Sequence, residues 1–125
     1  MTGLRIFFLW VAAVAATPMI FNVPPELQHT SWKAFYAKMP DTVIIHFEND
    51  TATVLSSMGS PVLQSTYKLK NDIITFHDFG GINACGQSGS YHVRINGDTL
   101  TLVVAEDPCD VRTGMLIIKP WIRKN

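Results

Sequence analysis

The sequence predicts an all-β chain folded as an eight-stranded antiparallel up-and-down barrel, and three observations lead there. After Pro24-Pro25, short apolar and β-branched runs follow one another with almost no helical periodicity. Six of those runs pair off around Asn, Asp and Gly, residues that tight hairpin turns favour. One hairpin is also echoed in another. Ser65 to Lys70 (STYKLK) lines up with Gly89 to Arg94 (GSYHVR), and Asn71 to Phe76 (NDIITF) with Gly97 to Leu102 (GDTLTL).

The chain begins with a leader-like segment. Arg5 is the only charge before Glu26, and Ile6 to Ala16 (IFFLWVAAVAA) is an unbroken apolar run ending in small residues ahead of Thr17-Pro18. This is the plan of a signal peptide over residues 1–16, cut near Ala15 or Ala16. The run falls short of the roughly 20 residues of a spanning helix, so no stable membrane span is expected after cleavage. Residues 17–30 read as an N-terminal linker and 31–125 as the barrel domain.

Within that domain the first strand is expected around Trp32 to Tyr36. Val43 to Phe47 and Thr51 to Leu55 flank Glu48-Asn49-Asp50; Leu63 to Leu69 and Ile73 to His77 flank Lys70-Asn71-Asp72; Tyr91 to Ile95 and Thr99 to Ala105 flank Asn96-Gly97-Asp98. A last strand is expected from Met115 to Ile122, and only 18–30 and 36–40 leave room for a helical turn. Consecutive hairpins argue against a two-sheet sandwich, whose Greek key needs a long returning connection. Closure into a barrel also removes the edges an open sheet would expose.

Period-two alternation assigns the faces. Tyr67, Leu69, Ile74, Phe76, Tyr91, Val93, Ile95, Leu100, Leu102 and Val104 point inward, and Lys68, Lys70, Thr75, His92, Arg94 and Thr101 face water. An eight-stranded barrel is just wide enough to be filled by side chains or to hold one small ligand. A dry void of roughly 300 Å³ would cost about 7 kcal/mol, so a sizeable cavity is expected to be occupied or absent.

Ten Lys and Arg balance ten Asp and Glu, with a pI near 6.9, which leaves no electrostatic footprint for nucleic acid. Cys85 and Cys109 are the only cysteines; both lie in polar loops and neither belongs to a Cys-x-x-Cys pair. In an exported chain they read as a disulfide worth on the order of 3 kcal/mol, the alternative being free thiols that an oxidising compartment disfavours. A secreted or periplasmic location follows.

Asp107, Asp110 and Arg112 read as a structural loop in which the arginine pairs with a carboxylate, since no nucleophile or histidine stands at a suggestive spacing. No enzyme is therefore expected. His29, His46, His77 and His92 are far apart, and His77 and His92 alternate out of phase with inward neighbours, so neither a metal site nor a cofactor is expected. For His46 the outcome rests on which face of VIIHF points inward. Asn49-Asp50-Thr51 is a glycosylation sequon in a host that glycosylates, and otherwise a turn. Trp32 with Arg112 or Arg123 is placed to close one barrel end by a cation–π contact.

Tyr67 to Lys124 carries Gly89-Ser90-Tyr91, Gly97-Asp98-Thr99-Leu100-Thr101-Leu102, Asp107-Pro108-Cys109-Asp110-Val111-Arg112 and Pro120-Trp121, with Cys85 in Asn83-Ala84-Cys85-Gly86 upstream. In this it resembles the small exported lipocalin-like proteins of the calycin superfamily. The Gly-x-Trp that opens a lipocalin proper is Thr30-Ser31-Trp32 here, and the Thr-Asp-Tyr motif is missing. The resemblance implies a barrel, a disulfide and a disposition to bind ligands. The expected function is accordingly an exported carrier of a small apolar molecule, with Tyr67, Phe76, Tyr91 and Leu102 as wall and Trp32 at the closed end. The alternative is a packed barrel that acts through a protein partner, as inhibitors and adhesion modules do, with Phe79 and Ile82 of the long loop as anchor. An isomerase or hydratase of the kind some calycin-like barrels support is a third option.

Overall fold

The computed structural model describes residues 26–36, 41–118 and 120–125; the expected signal peptide and all but the end of the expected linker lie outside them. The strands are β1 (Thr30–Tyr36), β2 (Asp41–Phe47), β3 (Thr51–Leu55), β4 (Pro61–Lys70), β5 (Ile73–Gly80), β6 (Gly89–Asn96), β7 (Thr99–Glu106) and β8 (Trp121–Lys124), with one helix, α1 (Asp110–Leu116), between the last two. They close in sequential order into a barrel whose neighbours are all antiparallel. Leu27 is buried and its carbonyl accepts the Thr30 N–H, so the barrel's packing begins just ahead of β1.

Up-and-down order gives the barrel two unlike ends. The turns Glu48-Asn49-Asp50, Asn71-Asp72 and Gly97-Asp98 lie at one, the turn end. Lys70 pairs with Ile73 and Asn96 with Thr99 across two-residue turns, and Asn71 (φ 57°) and Gly97 (φ 63°) take the left-handed conformation such hairpins need. The longer connections β3–β4, β5–β6 and β7–α1–β8 gather at the other, the loop end.

Alternation decides the interior as expected on most strands. Val43, Ile45 and Phe47 point in and His46 points out on β2; Tyr67, Ile74, Phe76, Tyr91, Val93, Leu100 and Leu102 are buried, while Leu69 and Ile95 are half-buried against the same core. Tyr67 meets Phe47 edge-on at 5.4 Å between ring centroids, and Phe76 meets Tyr91 at 5.8 Å. Trp32, Ile45, Ile74, Tyr91, Leu100 and Leu102 have no accessible surface. With their buried neighbours they form one hydrophobic cluster, and no water-sized space adjoins these six side chains.

Two expectations are corrected. The last strand expected from Met115 starts later: Met115 and Leu116 are the end of α1, and β8 begins only at Trp121. Arg112, Met115 and Leu116 recur at helical spacing and bury one face, Asp110 sits in the first turn where the helix dipole favours an acid, and Trp121 Nε1–H donates to the Leu116 carbonyl. Val104, assigned inward, is 40% exposed. Tyr91 pairs with Val104 but Ser90 with Glu106, so Ala105 is an extra residue that disrupts the ladder and turns the end of β7 outward.

Candidate functional site: the loop end

The site is built from the two longest connections of the barrel. Cys85 in the β5–β6 loop and Cys109 ahead of α1 form the disulfide that the cysteine count suggested. Arg112, on the buried face of α1, lies beneath it with no accessible surface. Its Nε donates to Asp107 Oδ2 at 2.7 Å and one terminal nitrogen to Asp107 Oδ1 at 2.7 Å, a two-point carboxylate clamp. The same nitrogen also donates to the Gln87 carbonyl at 2.7 Å, and Nη1 stands 3.0 Å from Asp78 Oδ2 on β5. Asp78 in turn accepts the Cys85 N–H at 2.8 Å, and Asp107 the Cys109 N–H at 2.9 Å. Each half-cystine is thus held through its backbone by one of the two carboxylates that bracket the arginine.

The neighbouring strands complete this lock. Ser65 on β4 donates to Asp78, and the Tyr91 hydroxyl on β6 donates to Asp107. Gly89 leaves the necessary room: a Cβ there would overlap the Asp107 carboxylate and the Arg112 guanidinium. Burial on its own would raise the Asp107 pKa, but the hydrogen bonds from Arg112, Tyr91 and the Cys109 N–H outweigh it and hold the carboxyl below its ordinary value. Burial, then the bond to Asp107, pushes the Tyr91 phenol far above its usual range, so it remains a donor. Asp110 lies exposed in the first turn of α1, apart from this network.

The same end of the barrel carries exposed apolar side chains that make up a rim. Met58 (91% exposed) tips the β3–β4 turn, Ile82 (82%) the β5–β6 loop, and Phe35 and Phe79 end β1 and β5. Val111 and Ile117, on and after α1, are exposed as well. Glu106 and Asp110 are the exposed charges there among the described residues. The turn end instead presents Glu48, Asp50, Lys70, Asp72, Asp98 and Lys124.

The loop itself is held rigidly under Ile82. Asn83 N–H donates to the Val62 carbonyl at 2.9 Å, and Gly81 (φ 98°) lies so close to the backbone of Val62 and Leu63 that no side chain fits. Of the side chains named from the sequence, Phe79 and Ile82 therefore reach the surface. Trp32, Tyr67, Phe76, Tyr91 and Leu102 come together inside, within one buried cluster. Trp32 stands toward the turn end with Arg123, not Arg112, over its ring at 4.4 Å, and Trp32 Nε1–H donates to Thr30 Oγ1 at 2.8 Å.

Sequence reading missed Met58 and Asp78. Met58 sits in Ser57-Met58-Gly59, which has the composition of an ordinary turn, and Asp78 reaches Arg112 across a separation that no local spacing reveals. All four histidines lie on the outer surface, and among the described residues no group of three or more His, Cys, Asp or Glu is placed to hold a metal ion. No described helix is long and apolar enough to cross a membrane. No family model, curated protein or solved structure matches the chain.

Proposed function

We propose that this chain is a packed barrel that works through its loop end, presenting Met58, Phe79 and Ile82 to an apolar cleft of a protein partner, in the manner of an inhibitor or adhesion module. The observation that carries the reading is the contrast between a filled interior and an apolar rim. The side chains that would form a ligand-carrying wall are already buried against one another, while the largest apolar groups left in water collect around rigidly held loops. Ordering a loop before contact lowers the entropy cost of binding, and the disulfide with the Asp78–Arg112–Asp107 lock supplies that order. The leader-like run and the disulfide support action outside the reducing cytosol.

A carrier of a small apolar molecule is the competing reading, supported by the lipocalin-like motifs of Tyr67 to Lys124. Native mass spectrometry of the chain purified from its own host separates the two. The expected result is a stoichiometric protein complex that a Met58→Asp, Ile82→Asp double variant loses while keeping the parent's thermal midpoint. A chain carrying one small apolar mass and no protein would overturn the proposal.

A further inference from the structure

At the turn end, on the outer face of β1 and β2, three side chains form a continuous relay. Ser31 and His46 are register partners across the two strands, and Glu48 follows His46 by two residues. Ser31 Oγ lies 2.6 Å from His46 Nδ1, and His46 Nε2 is hydrogen-bonded to Glu48 Oε2. The other carboxylate oxygen accepts from His29 Nδ1 at 2.9 Å, and His29 is held in the left-handed region (φ 64°), its N–H donating to the Phe47 carbonyl at 2.8 Å.

The polarity of this chain follows from the groups themselves. Hydrogen bonds from His46 and His29 hold the Glu48 carboxyl below its usual range, so at neutral pH it only accepts. His46 must then carry its proton on Nε2, which in a neutral imidazole leaves the Nδ1 lone pair as acceptor for the Ser31 O–H. A hydroxyl donating to an imidazole whose other nitrogen is fixed by a carboxylate is the arrangement that activates a serine. The His46 side chain is 37% exposed, so an electrophile arriving from solvent meets the relay directly.

We propose that Ser31 is an activated nucleophile that accepts the acyl group of small carboxylic esters. Ser31 Oγ adds to the ester carbonyl carbon as its proton passes to His46 Nδ1. Collapse of the adduct breaks the bond to the leaving oxygen, which takes that proton from His46, and Glu48 stays ionised to support the imidazolium meanwhile. Water repeats the exchange to release the acid and restore Ser31.

The chain contains its own control. Ser88 Oγ lies 3.1 Å from His77 Nδ1, and among the described residues no carboxylate is paired with His77. The test is to expose the full chain to a fluorophosphonate probe, which bonds phosphorus to an activated serine oxygen with loss of fluoride, and to follow each serine by peptide mass spectrometry. Ser31 is expected to label at least about tenfold faster than Ser88 in the same molecule, less than the roughly hundredfold minimum of a positioned base because Ser88 has His77 beside it. Glu48→Gln is expected to remove most of that excess and leave the Ser88 rate unchanged. Equal rates at Ser31 and Ser88 in the parent chain would overturn the proposal, as would a Ser31 rate indifferent to Glu48→Gln.

Discussion

Arg112 shows how far one residue's role can be read ahead of its surroundings. Its place three positions after a half-cystine and five after Asp107 suggests a loop-stiffening ion pair, and the pair with Asp107 is there. Asp78, which completes the bracket, lies on another strand and leaves no local trace in the sequence. Arg112→Ala would strand two buried carboxylates, so a loss of about 3 to 5 kcal/mol is expected in urea denaturation. The lock also has a pH signature. Because the folded Asp107 pKa is depressed, its contribution is fully present above the ordinary carboxylate value near pH 4 and is lost only as pH falls below that, through the folded value. The urea midpoint is therefore expected to drop on the acid side of about pH 4, and Asp107→Asn to flatten that drop. On β6 the alternation is testable directly. Tyr91→Ala is expected to cost roughly 3 to 5 kcal/mol, whereas His92→Ala, across the sheet and in water, is expected to stay within about 0.5 kcal/mol. A more damaging His92→Ala would mean that the strand's register is off by one residue.

At the scale of elements, hairpins were the most legible feature because period-two alternation and turn chemistry are both local. Asn71-Asp72 and Gly97-Asp98 sit where the sequence placed them, and β3 matches its expected bounds. The helix was not legible. Seven residues offer too few periods to stand out, and Met115 to Ile122 reads equally well as an apolar strand until Arg112 is counted with Met115 and Leu116. Nor does composition foretell the bulge at Ala105, which is settled by how β7 leaves the barrel. The disulfide belongs to this scale, since it ties the β5–β6 loop to α1 across a separation of 24 residues. A Cys85→Ser, Cys109→Ser variant is expected to lose on the order of 2 to 4 kcal/mol. Hydrogen exchange is expected to rise first in residues 81–88, and a rise spread evenly over all strands would instead mean that the bond does not govern this loop.

For the molecule as a whole, Gly89, Tyr91, Asp107, Cys109 and Arg112 converge on one structural task. Gly89 makes room, Tyr91 and Cys109 donate to Asp107, and Arg112 clamps it, so these residues account for a rigid loop end without any ligand. The sequence left open whether the barrel is filled, because the same alternating pattern describes a lined pocket and a solid core, and only contact across the axis separates them. The same limit applied to Ser31, His46 and Glu48, which strand pairing, and not spacing along the chain, brings together. The central claim is that the interior is closed and that apolar binding belongs to the rim of Met58, Phe79 and Ile82. Titration of the purified chain with an apolar fluorescent probe, repeated on Tyr91→Ala and on Ile82→Asp, tests it most directly. No one-to-one binding by the parent is expected, and any weaker association is expected to fall with Ile82→Asp. One-to-one binding that Tyr91→Ala alters and Ile82→Asp leaves unchanged would contradict the claim.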